Sequence, residues 1–259
     1  MTTTSELHSR IEQQKALLGC CIDSANAANG ELAAMIGYHL VWGELEHGSV
    51  SRHEAEQFCQ GVKAGGGTAL LRIQSAERVH VLGALEAGAS VVVVPMVESP
   101  ETARQIVQHG KYAPLGNRGF NGSSRGMRFG IGTAVANMEW ANRETHLMVQ
   151  IETVEALRRC REIVSVDGIT GGVLGPGDLS VSLGKPLAFE DPEVIKAAVQ
   201  VIREVRAAGK IAMSVTGHPT LLKATLEAGA QILVCAGERP SLKAHWTQNV
   251  KDVTAQIAR

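Results

Sequence analysis

Eight short apolar segments recur along the chain, and helical patterns separate most of them. Two of them, VVVVP at 91–95 and QILVC at 231–235, are continuous apolar runs, as expected of strands that are covered on both faces of a parallel sheet. Several of the intervening helical patterns, such as SAERVHVLGALEAG, end in glycine, which is typical of a helix C-terminus. The predicted strands are residues 17–23, 39–44, 68–73, 91–95, 146–151, 168–175, 210–215 and 231–235.

This alternation predicts an α/β fold, a closed (β/α)8 TIM barrel. The alternative is an open doubly wound sheet, but no G-x-G-x-x-G turn follows the first strand. A length of 259 residues suits one barrel, so we predict a single domain over residues 1–259.

One long connection, residues 111–145, interrupts the alternation and is rich in Gly, Asn and Arg. Its position after the fourth strand suggests the C-terminal face of the barrel. We interpret it as a lid or substrate loop, with an inert surface excursion as the alternative.

The composition indicates a soluble, cytoplasmic protein that binds neither nucleic acid nor membranes. The net charge is −1, and the Lys and Arg residues are scattered rather than clustered. The N-terminus has no apolar region of the kind found in secretory signals, and no run of about 18 apolar residues could cross a membrane. The 5 cysteines form no C-x-x-C pair, which favours free thiols over a zinc site.

Polar groups follow four of the predicted strands at their C-terminal ends, where barrel enzymes carry their chemistry. Arg72 ends an apolar strand, and a guanidinium there must be paired or face a polar cavity. His47 follows the second strand, where an ordinary surface histidine is the alternative. Lysines lie in helices, in loops or at the opposite strand ends, which disfavours a Schiff-base mechanism.

Glu152 and Asp178 follow neighbouring predicted strands, which lie about 4.8 Å apart in a sheet. Two carboxylates that leave room for water and substrate suit Mg²⁺ or Mn²⁺. The Gly-Pro-Gly turn before Asp178 would allow the backbone to approach a ligand closely. The alternative is that both acids serve their helices, Glu152 near a helix N-terminus and Asp178 as an N-cap.

Several segments together resemble the HpcH/HpaI aldolase/citrate lyase β-like family, specifically its class II pyruvate aldolases. The similar segments occur in the family's order and cover nearly the whole chain. The most specific of them are WGELEHGS (42–49), ALEAGASVVVVPMVES (84–99), LMVQIETVEAL (147–157) and GVLGPGDLS (172–180).

The resemblance implies a barrel whose last helix packs on a neighbouring subunit, in a homo-hexamer built as a trimer of dimers. It makes Glu152 and Asp178 the ligands of Mg²⁺ or Mn²⁺, with Co²⁺ as a further candidate. It also implies two sets of functional residues. The catalytic set is His47, Arg72, Glu44 and Glu86, and the substrate-binding set is Gln150, Gly175, Pro176, Gly177 and, again, Arg72.

Two positions depart from the family pattern, since Glu44 and Glu86 stand where the family commonly has aspartate. The family supplies the acid at the position of Glu86 to a neighbour's site. An additional methylene at both positions bears on rate and donor specificity more than on the class of reaction.

The predicted function is retro-aldol cleavage of a 4-hydroxy-2-oxo acid to pyruvate and an aldehyde, through a metal-stabilised enolate. In this hypothesis Arg72 stabilises the enolate, His47 takes the hydroxyl proton and Gln150 orients the ligand. One alternative uses the same site for oxaloacetate decarboxylation or for cleavage of a CoA thioester. Another is a non-catalytic barrel that binds an oxo acid.

Overall fold

Eight parallel strands pair in sequence order, and the first also pairs with the last, so the sheet closes on itself. The structure is a computed structural model that describes residues 4–258. The predicted (β/α)8 barrel is confirmed, and every predicted strand overlaps an observed one. The strands are β1 (Leu17–Ile22), β2 (Leu40–Glu44), β3 (Thr68–Arg72), β4 (Val91–Val94), β5 (His146–Ile151), β6 (Gly171–Leu174), β7 (Ile211–Val215) and β8 (Ile232–Gly237).

Helices precede and connect these strands, and side-chain caps begin several of them. At the third helix, for example, the Ser51 side chain accepts the Glu54 N–H and the Glu54 carboxylate accepts the Ser51 N–H. The helices are α1 (Glu6–Gln13), α2 (Ala27–Met35), α3 (Arg52–Ala64), α4 (Arg78–Ala87), α5 (Pro100–Gly110), α6 (Ala134–Glu144), α7 (Val154–Arg158), α8 (Cys160–Val164), α9 (Pro176–Ser182), α10 (Pro192–Ala207), α11 (Pro219–Glu227) and α12 (Glu238–Ile257).

The barrel interior is packed with side chains that alternate along the strands. Leu40 and Trp42 of β2, Leu70 of β3 and Met148 of β5 belong to this buried interior cluster. Because side chains of a strand alternate between its two faces, the next inward positions on these strands are Glu44, Arg72 and Gln150. A polar layer therefore lies on the apolar interior at the C-terminal end.

The opposite end of the barrel is closed by α1. Leu7 is 3% exposed and packs with the interior cluster, and the half-buried Ile11 packs beside it. The interior is therefore sealed at its N-terminal end.

The segment 111–145 begins where α5 ends and finishes where β5 begins, so both its ends lie at the N-terminal end of the barrel, opposite the face expected for it. The physical reason is that α5 carries the chain back across the barrel before the segment begins. The segment includes a 3-10 helix (Arg125–Gly130) and α6, and then enters β5 at its first residue. The carboxylate of Glu144 accepts the backbone N–H of Glu6 at 3.1 Å, which ties the segment to α1. The role of this segment as a lid or substrate loop stays a prediction.

The last helix, α12, has no buried residue within the chain. It carries an exposed apolar stripe at helical spacing, formed by Leu242, Trp246, Val250, Val253 and Ile257. The exchange of this helix between subunits stays a prediction. Within residues 4–258, no helix combines the length and apolar character that a membrane crossing requires.

Candidate active site

A cavity of about 300 Å³ opens at the C-terminal end of the barrel. A larger cavity of about 450 Å³ lies at the other end, but none of the predicted strand-end groups lines it. The smaller cavity therefore marks the candidate site. Its lining includes Glu44, Arg72, Gln150, Asp178, Thr216 and His218.

Glu44 and Arg72 form a buried ion pair at the floor of this cavity. They are direct partners in the register of β2 and β3, and their side chains are 7% and 15% exposed. Two nitrogens of Arg72, Nε at 2.8 Å and a terminal one at 2.7 Å, donate to one oxygen of Glu44. Trp42 Nε1 donates to the same oxygen at 3.1 Å. The guanidinium is therefore both paired and directed to a polar cavity, as the sequence required.

The other Glu44 oxygen holds the turn that follows β2. It accepts the backbone N–H of Glu46 at 2.8 Å and that of His47 at 3.2 Å. Glu46 in turn lies 3.1 Å from Arg72 and 3.6 Å from His47 Nε2. Burial raises the pKa of Glu46, and Glu44 and Asp178 add to this against the opposing effects of Arg72 and His47.

Glu46 is a residue that the sequence reasoning did not assign to the site. The available signal was its spacing of two from Glu44, which places both acids on one side of an extended chain. His47, which was assigned, lies at the rim: its side chain is 69% exposed and does not line the cavity.

Glu152 follows β5 and is 2% exposed. One of its oxygens accepts the backbone N–H of Met96 at 2.7 Å, and the other accepts Gln150 Nε2. Met96 has a left-handed φ of 53°, a costly conformation for a residue other than glycine. Burial raises the pKa of Glu152, and the nearby Asp178 and Glu46 carboxylates add to the effect.

Gly175 begins the turn that carries Asp178. A Cβ atom at Gly175 would stand 2.7 Å from a Glu152 oxygen and 2.8 Å from Gln150 Nε2, so only glycine fits there. Pro176 and Gly177 continue the turn, and Asp178 lies exposed in the first turn of α9. The Gly175 backbone, the Glu152 carboxylate and the Gln150 amide thus meet at one point.

These residues fit a divalent cation. Glu152 and Asp178 offer oxygen ligands, and Gln150 Oε1 is buried without a hydrogen-bond partner among the residues described. Residues 4–258 hold no ready group of three or more His, Cys, Asp or Glu side chains for a metal. A cation here would take its remaining ligands from water and substrate, as Mg²⁺ commonly does.

Glu86 is not brought to this site within the chain. It lies in the last turn of α4, and its carboxylate pairs with Arg52. Lys185, in the loop after Asp178, is held by Asp191 at 2.9 Å and by Glu193 at 2.8 Å. Within the described part of the chain, no lysine lines the cavity.

Comparisons with known proteins agree with this architecture. The model of the HpcH/HpaI aldolase/citrate lyase family matches residues 17–238. The crystal structure of an HpcH/HpaI aldolase from Desulfitobacterium hafniense superposes with a TM-score of 0.89 at 28% identity, covering 97% of each chain.

Two relatives carry names for their activities. The hydroxypyruvate/pyruvate aldolase of Sagittula stellata is 37% identical over 81% of this chain and 82% of its own. The 2-keto-3-deoxy-L-rhamnonate aldolase of Klebsiella pneumoniae is 34% identical over 83% of this chain and 80% of its own. Together with the fold and the strand-end residues, these matches show that the chain belongs to the HpcH/HpaI aldolase/citrate lyase family and is a carbon–carbon lyase.

Proposed function

We propose that this enzyme is a class II aldolase that reversibly cleaves a 4-hydroxy-2-oxo acid to pyruvate and an aldehyde. The observation that supports it best is the placement of Arg72. Its guanidinium is fixed by two carboxylates, Glu44 and Glu46, at the cavity that Asp178 lines. The Glu152 carboxylate lies close enough for Asp178 to raise its pKa. The name of the Sagittula stellata relative extends the candidate donors to hydroxypyruvate.

Glu152 and Asp178 would hold the divalent cation, Mg²⁺ or Mn²⁺, with Co²⁺ as a further candidate. When bound, it supplies Lewis-acid polarisation of the oxygens of the 2-oxo acid. The Met96 N–H and the Gln150 amide keep the Glu152 carboxylate in place. Gly175 leaves the space that a side chain would fill beside these ligands.

Arg72 would stabilise the negative charge that develops on pyruvate as the carbon–carbon bond breaks. A guanidinium has five N–H donors, and Glu44 and Glu46 do not use all of them. The remaining donors can point at the substrate oxygen from a fixed position, the arrangement that lowers a transition-state barrier most. Gln150, with its free Oε1 at the cavity, would orient the ligand.

His47 would take the proton from the 4-hydroxyl group in cleavage and return it in synthesis. Glu44 fixes the backbone of His47, and Glu46 lies within 3.6 Å of its Nε2 atom. Glu46 would hold the imidazole ring in position for this role.

We also propose that the enzyme works as a homo-oligomer, a hexamer built as a trimer of dimers. The exposed apolar stripe of α12 and the position of Glu86 away from its own site support this proposal. Light scattering of the Trp246→Ser variant should then show smaller particles than the parent.

The reaction can be tested by following pyruvate release from a 4-hydroxy-2-oxo acid. We expect activity to disappear with EDTA and to return with Mg²⁺ or Mn²⁺. The variants Glu152→Gln and Asp178→Asn should bind Mn²⁺ more weakly, as measured by calorimetry, and should be inactive. Activity that survives complete chelation would overturn the metal-dependent mechanism.

A further inference from the structure

One wall of the active-site cavity is formed by the loop after β7, which the mechanism above does not use. Thr216, Gly217 and His218 line this wall, and Phe189 lies beside them. Arg72 is the only Lys or Arg side chain in the lining within the described residues, whereas Glu44 and Asp178 line it as carboxylates. In that part of the chain, this wall therefore has no Lys or Arg side chain that could contact a ligand.

One ring nitrogen of His218, a residue of this wall, is unsatisfied. Its Nδ1 atom is buried and has no hydrogen-bond partner among residues 4–258. The ring lies against Phe189, with centroids 5.7 Å apart, and Nε2 is 4.0 Å from a Glu190 oxygen. A carboxylate on that side favours the proton on Nε2, which leaves Nδ1 as an acceptor.

Thr216 provides the complementary group. It is 8% exposed, and its oxygen accepts the backbone N–H of His218 at 3.1 Å. A threonine hydroxyl that accepts in this way still has its own O–H to donate. No acceptor for that proton is present in the described part of the chain. The wall thus offers one acceptor and one donor on residues that are two positions apart in the chain.

We propose that Thr216 and His218 bind a hydroxyl group of the aldehyde, so that the preferred acceptor is an α-hydroxyaldehyde. This inference rests on the proposed aldolase function. A hydroxyl both donates and accepts, so it can satisfy both groups at once, while Phe189 contacts the carbon chain. A carboxylate, which only accepts hydrogen bonds, would instead meet the Nδ1 lone pair.

The test compares glycolaldehyde with propionaldehyde, in which a methyl group replaces the hydroxyl. The kcat/KM for addition of pyruvate to each aldehyde is measured for the parent, His218→Phe and Thr216→Val. Each variant should lower the glycolaldehyde-to-propionaldehyde ratio about 10- to 100-fold, because a polar site left unpaired discriminates strongly. The exposed His53 on α3 provides the matched control, since His53→Asn should leave the ratio unchanged.

A second measurement separates the two proposals. Exchange of the pyruvate methyl protons with deuterated solvent needs no aldehyde, so it should persist in both variants at the parent rate. Absence of exchange in the parent enzyme would refute the aldolase function itself. Normal exchange with an unchanged glycolaldehyde-to-propionaldehyde ratio would refute the hydroxyl subsite alone. The subsite would also be refuted if both variants lost exchange and lost kcat/KM equally for the two aldehydes. A His218-dependent preference for glyoxylate over glycolaldehyde would replace it with a carboxylate subsite.

Discussion

Replacing Glu44 by glutamine isolates the ion pair that holds Arg72. The carboxylate accepts from Trp42, from two nitrogens of Arg72, and from the backbone N–H groups of Glu46 and His47. The glutamine carbonyl can keep the two backbone donors. Its NH2 group then faces the N–H groups of Arg72 and Trp42, donor against donor.

The magnitude follows from the burial of the pair. Removing one partner of a buried ion pair costs about 3–5 kcal/mol of unfolding free energy. The cost falls to the low end here because Arg72 is 15% exposed and keeps Glu46 at 3.1 Å. We therefore expect a loss of about 3 kcal/mol, or a Tm lower by roughly 6–12 °C in a chain of this size.

Urea unfolding followed by tryptophan fluorescence measures this loss directly, and an unchanged slope against urea shows that the folded state stays compact. Glu162→Gln is the matched control, because its carboxylate is 67% exposed and lies 3.6 Å from Arg159. That variant should unfold as the parent does. A loss below about 1 kcal/mol for Glu44→Gln would mean that the pair does not hold the floor of the site.

Three further substitutions test other parts of the structure. The fold raises the pKa of Glu152, so at a pH above the ordinary pKa of a glutamate its ionised carboxylate destabilises the folded state. In EDTA at pH 7, Glu152→Gln should therefore gain roughly 0.5–2 kcal/mol of unfolding free energy. A less stable variant would contradict this. Leu7→Ala should lose about 2–4 kcal/mol of unfolding free energy while kcat/KM at 25 °C stays the same; an altered kcat/KM would link α1 to the site. Burial lowers the pKa of His146 to about 3, and the nearby Lys111 and His8 add to this effect. The neutral ring therefore makes its full contribution to the unfolding free energy above about pH 6.5. Stability is then lost toward pH 3, by up to about 1.4 kcal/mol per pH unit, and acid titration of His146→Asn should be flatter than that of the parent.

Much of the site could be predicted because two simple rules locate it. Parallel strands bring their C-terminal ends together, and side chains alternate along each strand. These rules place Glu44, Arg72 and Gln150 on the inward face at the C-terminal end, and all three line one cavity. Glu152 lies two residues beyond Gln150 and accepts a hydrogen bond from it. Glu46 follows the alternation of side chains as well, but the chemical role after this strand was assigned to the adjacent His47.

Residues 111–145 were expected at the C-terminal face, although the preceding helix brings their first residue to the N-terminal end. SPETARQIVQHG was itself predicted as a helix, and a helix in a barrel returns the chain to the N-terminal end. That placement could have been derived from the sequence.

Other features had no sequence signal. Thr216 and His218 precede a proline that begins a helix, where polar residues are ordinary. The exposure of His47 and of α12 depends on the packed structure, because sequence periodicity alone does not show what covers a surface.

Leu7 and Ile11 cover the N-terminal end of the barrel, which leaves the C-terminal end as the route to the candidate site. With the N-terminal end covered by α1 in the described part of the chain, the substrates of the proposed aldol reaction would arrive and depart by the same mouth. A compound lodged in that mouth would therefore block cleavage and condensation alike, and would also trap whatever already lies beneath it.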